Sequence, residues 1–190
     1  MDNRLKIINY LGKHIQETFS MHSLSTTLMI PYATFHRVIT RIGDLIEYRT
    51  IGHTKEIKIN RRSQTAEAYL IISSEEEKKE LLKKKPKIKI IHGDMKTKDI
   101  VLLFGSYAKG KEHKGSDIDL MIINKKGERS ISFAKNELVL ETEINPIFIS
   151  EKEFIVMLKD DDENVGKQAL KDHVVLNNPK RFWELVKNGI

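Results

Sequence analysis

Leu5, Ile8, Leu11 and Ile15 recur at close to helical spacing, which predicts an amphipathic helix over residues 3–17. A shorter helix is expected at about 22–30, apolar at Leu24, Leu28 and Met29. Between Pro31 and Gly43, Phe35, Val38, Ile39 and Ile42 make one apolar stripe, while Tyr32, Thr34, His36, Arg37 and Arg41 point elsewhere. Pro31 suits a first helical position and Gly43 a C-cap. The period then changes to two. Residues 45–49 and 56–59 read as strands flanking a turn at 50–55, a hairpin.

Further on, Ser74 followed by Glu77 has the form of a capping box, and Pro86 should stop the helix it starts. The lysines that follow, Lys83, Lys84, Lys85, Lys87 and Lys89, read as a solvated helix end. Residues 100–104 are continuously apolar, a buried strand, and 117–123 form a second strand. A third is expected over 140–149, where Pro146 suits a sheet edge or a bulge. A helix follows at 151–159, and a last helix carries Phe182, Trp183, Leu185 and Val186 as packing. The pattern divides the chain into a front module at 1–62, a helical connector at 63–94 and a back module at 95–190.

Charge sharpens that division. Residues 1–62 hold 10 basic and 5 acidic side chains, net +5, whereas residues 101–190 hold 14 and 15, net −1, so most of the chain's net +6 sits at the front. A cation-rich front module suits a phosphate-bearing partner. The absence of cysteine excludes a disulfide scaffold, a thiolate nucleophile and a Cys-ligated zinc site. No apolar run reaches the roughly 18 residues of a membrane span, and Met1-Asp2-Asn3-Arg4 does not open a signal peptide; a cytoplasmic protein is expected.

The chemistry concentrates around residue 110. Alternate residues of a strand share a face, so Asp117 and Asp119 set two carboxylates side by side. Their repulsion calls for a cation, and hard oxygen ligands suit Mg²⁺. Just upstream, Gly105 and Ser106 offer a turn with backbone N–H groups and a hydroxyl, and Lys109 a cation: the parts for holding a triphosphate. Gly105, Gly110 and Lys111 fit most of a phosphate-binding P-loop, but Glu112 stands where a Ser or Thr is required, and the segment returns to a strand rather than opening a helix.

Gly-Ser, ten residues, then Asp-x-Asp on a strand resembles the signature of the polymerase β-like nucleotidyltransferase superfamily. The stretch LFGSYAKGKEHKGSDIDLMII is similar to the minimal nucleotidyltransferases of prokaryotic toxin–antitoxin pairs, whose partner is a HEPN-type ribonuclease toxin. The resemblance covers roughly 95–190. It implies an α/β domain with a short mixed sheet, Mg²⁺ on Asp117 and Asp119, and an NTP, ATP foremost, held by Gly105, Ser106, Lys109 and Ser116. NMP would pass to a protein or RNA acceptor. A third acid is expected on a neighbouring strand. Asn145 falls at that place, and Glu143, on the same strand face as Glu141 and Asn145, is the substitute. This departure leaves two readings open: an active transferase, or a regulator or antitoxin that binds nucleotide or a partner without turnover.

IPYATFHRVITRIGDLIEYR resembles the helix-then-wing pattern of winged helix-turn-helix regulators. That resemblance implies an α+β protein of two modules, with DNA contacted by Tyr32, Thr34, Arg37 and Arg41 on the helix at 32–42 and by Arg49, His53 and Lys55 on the wing. By analogy a homodimer would read two half-sites.

Overall fold

A computed structural model describes residues 1–52 and 54–190. The chain divides into two compact units, Met1–Ser73 and Ser74–Ile190.

In the first unit, α1 (Asn3–Lys13) starts where the Asp2 carboxylate accepts the Leu5 N–H at 2.8 Å. It is shorter than the sequence suggested: Ile15 is buried but lies beyond the helix, after the His14 cap. A two-residue strand, β1 (Phe19–Ser20), leads into α2 (Met21–Thr27), capped by Ser20. Then α3 (Tyr32–Arg41) runs from Pro31, which is the N-cap rather than the first helical residue, into a 3-10 turn at Gly43–Leu45. β2 (Ile46–Ile51) and β3 (Thr54–Ile59) form an antiparallel hairpin, and the sheet order is β1-β3-β2. Ile7, Ile8, Leu11, Leu24, Phe35, Ile39, Ile57 and Ile59 fill the core of this unit. Each such side chain withdrawn from water contributes about 1.5–3 kcal/mol before its ordering cost.

The boundary falls inside α4 (Gln64–Lys84), a single helix of 21 residues. Ser74 is therefore mid-helix, and the expected capping box is not a start. Ser63 takes that role, its hydroxyl accepting the Ala66 N–H at 3.1 Å. Ser74 is instead buried, and its hydroxyl accepts the Trp183 indole N–H at 2.9 Å. Residues 63–94 hold α4 and α5 (Pro86–Asp94), and Ile88 and Ile91 of α5 belong to the apolar core of the second unit.

The second unit is built on a four-stranded mixed sheet of order β6-β5-β4-β7. β4 (Ile100–Phe104) is antiparallel to β5 (Ile118–Asn124) and to β7 (Val174–Asn177). β6 (Ile144–Ser150) runs parallel to β5 as an edge strand, the position that Pro146 tolerates. α6 (Gly105–Lys109) follows β4, and α7 (Ala134–Leu140) crosses from β5 to β6. α8 (Glu151–Lys159), α9 (Val165–Asp172) and α10 (Pro179–Gly189) complete it. Among the described residues, no helix is long and apolar enough to cross a membrane.

The segment expected as one strand over 140–149 is thus a helix end followed by a strand. Glu137 makes the break: its carboxylate accepts the Ile144 N–H at 3.1 Å, and Glu141 takes a left-handed cap at φ +46°.

Candidate active site

Three strand ends meet at one end of the mixed sheet. Phe104, last in β4, pairs with Asp119, and Asp119 pairs on its other side with Asn145 of β6. The Ile118 N–H donates to the Glu143 carbonyl at 2.9 Å, which holds Glu143 beside the Asp117–Ile118 step. Gly105, Asp117, Asp119, Glu143 and Asn145 are thereby brought together from three segments. Asp117 lies just before β5 rather than within it.

Gly105 cannot be another residue in this geometry. It sits at φ +68°, and a Cβ there would stand 2.1 Å from Asp119 Oδ2. The missing side chain is the space into which the carboxylate folds. Ser106, half-buried, follows in the first turn of α6. The Gly-Ser segment does open a helix, where a direct return to a strand was expected, but that helix has five residues and ends at Gly110. Glu112 is held by Lys85, whose hydrogen bond keeps its carboxyl below the usual range.

Asp119 is half-buried and Asp117 exposed. Burial pushes the Asp119 carboxyl above its ordinary value, the Asp117 charge pushes it further, and a hydrogen bond from Asn145 opposes both. The Asn145 amide N–H also reaches Asp117 Oδ2 at 3.5 Å. Two carboxylates that repel one another, one lodged where a glycine makes room, are a site short of positive charge. With oxygen donors only, the pair fits one hard divalent cation whose remaining positions fall to water or substrate phosphate. Among the described residues there is no group of three or more His, Cys, Asp or Glu able to hold a metal alone.

A cavity of about 430 Å³ opens beside Asp117 and Glu143. Glu141, the exposed cap of α7, reaches the same cavity, and Glu143 lies just before β6, so the one strand face expected for Glu141, Glu143 and Asn145 does not form. Ser116 also lines it; its hydroxyl accepts the His113 N–H at 2.9 Å and closes the turn before the acids. Lys109 is engaged elsewhere: its ammonium group lies 2.9 Å from Asp172 Oδ2. Sequence reasoning missed Lys87 and Tyr107. Lys87 lines the cavity and donates to the Thr142 hydroxyl, and Lys85 pairs with Glu112, so neither belongs to a merely solvated run. Only Pro86, which restarts the helix at Lys85–Lys87, hints that these lysines leave the line of α4. Burial, with the Glu112 charge, raises the Tyr107 phenol against the effect of Lys85, so it stays a neutral hydroxyl at the cavity wall.

In the first unit, Thr34, Arg37 and Arg41 follow one another at i, i+3 and i+7 along α3, with both arginines exposed. The Tyr32 ring lies 6.0 Å from His22 and 6.2 Å from His36. Arg49 stands opposite Glu56 and Lys55 opposite Thr50, so these two cations project from opposite faces of the hairpin. His53 lies outside the described residues.

No curated protein and no solved structure is significantly similar to the chain. Residues 76–181, more than half of its length and the stretch that holds every residue of this acidic site, match the family described as polymerase beta nucleotidyltransferase, and the chain belongs to that family.

Proposed function

We propose that the second unit is a Mg²⁺-dependent nucleotidyltransferase that moves NMP from an NTP, ATP foremost, to a protein or RNA acceptor. The observation that carries this reading is the placement of Asp117 and Asp119 against the Gly105–Ser106 turn. Gly105, Ser106, Lys109 and Ser116 would hold the triphosphate; Lys109 would exchange its Asp172 partner for a phosphate oxygen. A cation on Asp117 and Asp119 would neutralise the charge that gathers on the phosphates. The acceptor oxygen attacks the α-phosphorus in line, the bond from that phosphorus to the bridging oxygen breaks, and pyrophosphate leaves with the electron pair. The acceptor proton goes to Glu143 or to water, because the Asn145 carboxamide is no base.

The first unit is read as a winged helix-turn-helix domain with α3 in the major groove and the β2–β3 hairpin as the wing. Its element order and the exposed Arg37 and Arg41 support this. The protein would act in the cytoplasm, as a homodimer on DNA, with a HEPN-type toxin or an RNA as the acceptor.

The test uses α-labelled ATP, Mg²⁺ and a lysate or the co-encoded neighbour, beside an Asp117→Ala/Asp119→Ala control. Label transfer that vanishes in the control is expected; no transfer from any NTP, with cation binding intact, refutes turnover. One observation favours the second reading, a DNA-binding regulator or antitoxin that binds without turnover: an amide stands at the third acidic position. Under either reading, a gel shift that weakens with salt and is lost in Arg37→Ala/Arg41→Ala is expected. Salt-insensitive binding refutes phosphate contact, since each phosphate contact contributes about 0.9 to the slope of log K against log salt.

A further inference from the structure

We propose that Asn145 is a positioning residue that makes cation capture depend on a phosphate ligand, because its amide already stands between the two carboxylates as a surrogate for positive charge. The inference rests on the nucleotidyltransferase reading of this site.

The geometry is specific about orientation. Asn145 faces Asp119 across the β5–β6 ladder and reaches Asp117 Oδ2 at 3.5 Å. Both neighbours are acceptors, and of the two ends of a carboxamide only the NH₂ end can donate to them. The Asn145 carbonyl oxygen is therefore turned away from the place a cation would take. Pro146 follows, which holds the Asn145 backbone extended and limits how the side chain can be re-aimed. In the protein without ligand, the N–H groups thus offset part of the repulsion between Asp117 and Asp119. A cation entering alone must displace the Asn145–Asp117 contact and gains only two carboxylates. Mg²⁺ gives up its water reluctantly and is commonly held by one or two carboxylates together with substrate phosphates. A nucleotide supplies the missing anionic oxygens. The site would then hold a single cation, loaded with the nucleotide rather than resident. An aspartate at 145 would instead make a triply negative site that binds cations unaided.

The experiment follows Mn²⁺ binding to the full chain by electron paramagnetic resonance, alone and with a non-hydrolysable α,β-methylene ATP analogue. Wild type should bind Mn²⁺ at least tenfold more tightly with the analogue than without it. Asn145→Asp should tighten binding of Mn²⁺ alone by tenfold or more and shrink the effect of the analogue. Asn145→Ala, which removes the donor without adding charge, should tighten Mn²⁺ alone by a few-fold, with far-UV circular dichroism confirming the fold. Equal wild-type affinity with and without the analogue, or an unchanged Mn²⁺ affinity in both variants, overturns the inference. The Asp117→Ala/Asp119→Ala protein separates the two levels. If it binds Mn²⁺ and analogue like wild type, the nucleotidyltransferase reading of the site itself fails. If it loses them while Asn145→Asp changes nothing, only the role of Asn145 fails.

Discussion

Replacing Gly105 by alanine tests the core of the site. The substitution forces a side chain onto a backbone at φ +68° and places its Cβ 2.1 Å from Asp119 Oδ2. The backbone alone costs about 1–2 kcal/mol for an L-residue in the left-handed region. The contact is a separate matter. To reach an ordinary 3.4 Å separation, the carboxylate must withdraw by about 1.3 Å. A misplacement of about 1 Å in a reacting group is worth roughly 10²-fold in rate. Gly110→Ala provides the reference: it sits at φ +65° at the end of the same short helix, but a Cβ there meets nothing within 4 Å. Both variants should lose roughly 4–8 °C of thermal stability in a unit of this size. Only Gly105→Ala should also lose Mn²⁺-analogue binding and most label transfer. Thermal unfolding and the transfer assay on the two proteins, side by side, separate strain from displacement. If Gly105→Ala matches Gly110→Ala in cation binding and transfer, Gly105 does not set the position of Asp119, and the glycine gap is not what organises the site.

Three further predictions concern stability. Because burial and Asp117 raise the Asp119 carboxyl, the folded metal-free protein binds that proton more tightly than the unfolded chain; this contribution is present below the ordinary carboxylate range and is lost as pH rises through the raised value. In chelator, Asp119→Asn should therefore raise the melting temperature at pH 7.5 relative to wild type, with the gain vanishing at low pH; a gain equal at both pH values refutes the assignment. Ser74→Ala leaves the Trp183 indole N–H, on a residue 2% exposed, without its 2.9 Å acceptor and should cost about 1–3 kcal/mol by urea denaturation. Gly127→Ala, at φ +74° with its Cβ 2.8 Å from the Ser150 nitrogen, disturbs the capping box of α8 and should cost more than Gly52→Ala, at φ +58° with open space around it. Equal losses in the two melts would show that the approach to Ser150 has no energetic weight.

What the sequence revealed of this protein followed from how local each determinant was. The apolar run of β4 and the pairing of acids at 117 and 119 can be read within a few residues, and so can the helix at Glu151–Lys159. Partners far along the chain left no such trace. Ser74 matches a capping box locally, yet its role comes from Trp183, 109 residues away. Lys87 reads as one of a run of lysines until Thr142 is folded onto it. β1 is two residues long, too short to show a period, and β7 has buried Val174, Val175 and Leu176 with no alternation to mark it. Gly105 was legible as a turn residue but not as the gap that Asp119 fills, since that gap exists only once Phe104 is paired with Asp119.

That pairing also explains why so polar a site can be specified by apolar residues. Ile118, Leu120 and Ile122 are wholly buried in the apolar cluster of the second unit and share one face of β5. Slipping the strand by one residue would turn Asp117 and Asp119 towards that cluster, where a carboxylate has no partner. The isoleucines and leucine therefore set which way the carboxylates face. Phe104 and Asn145, in register on either side, then set how far along the sheet they stand. Substitutions that weaken this apolar face should accordingly loosen cation binding before they unfold the unit, because the carboxylates repel one another and the Asn145 amide offsets only part of that repulsion.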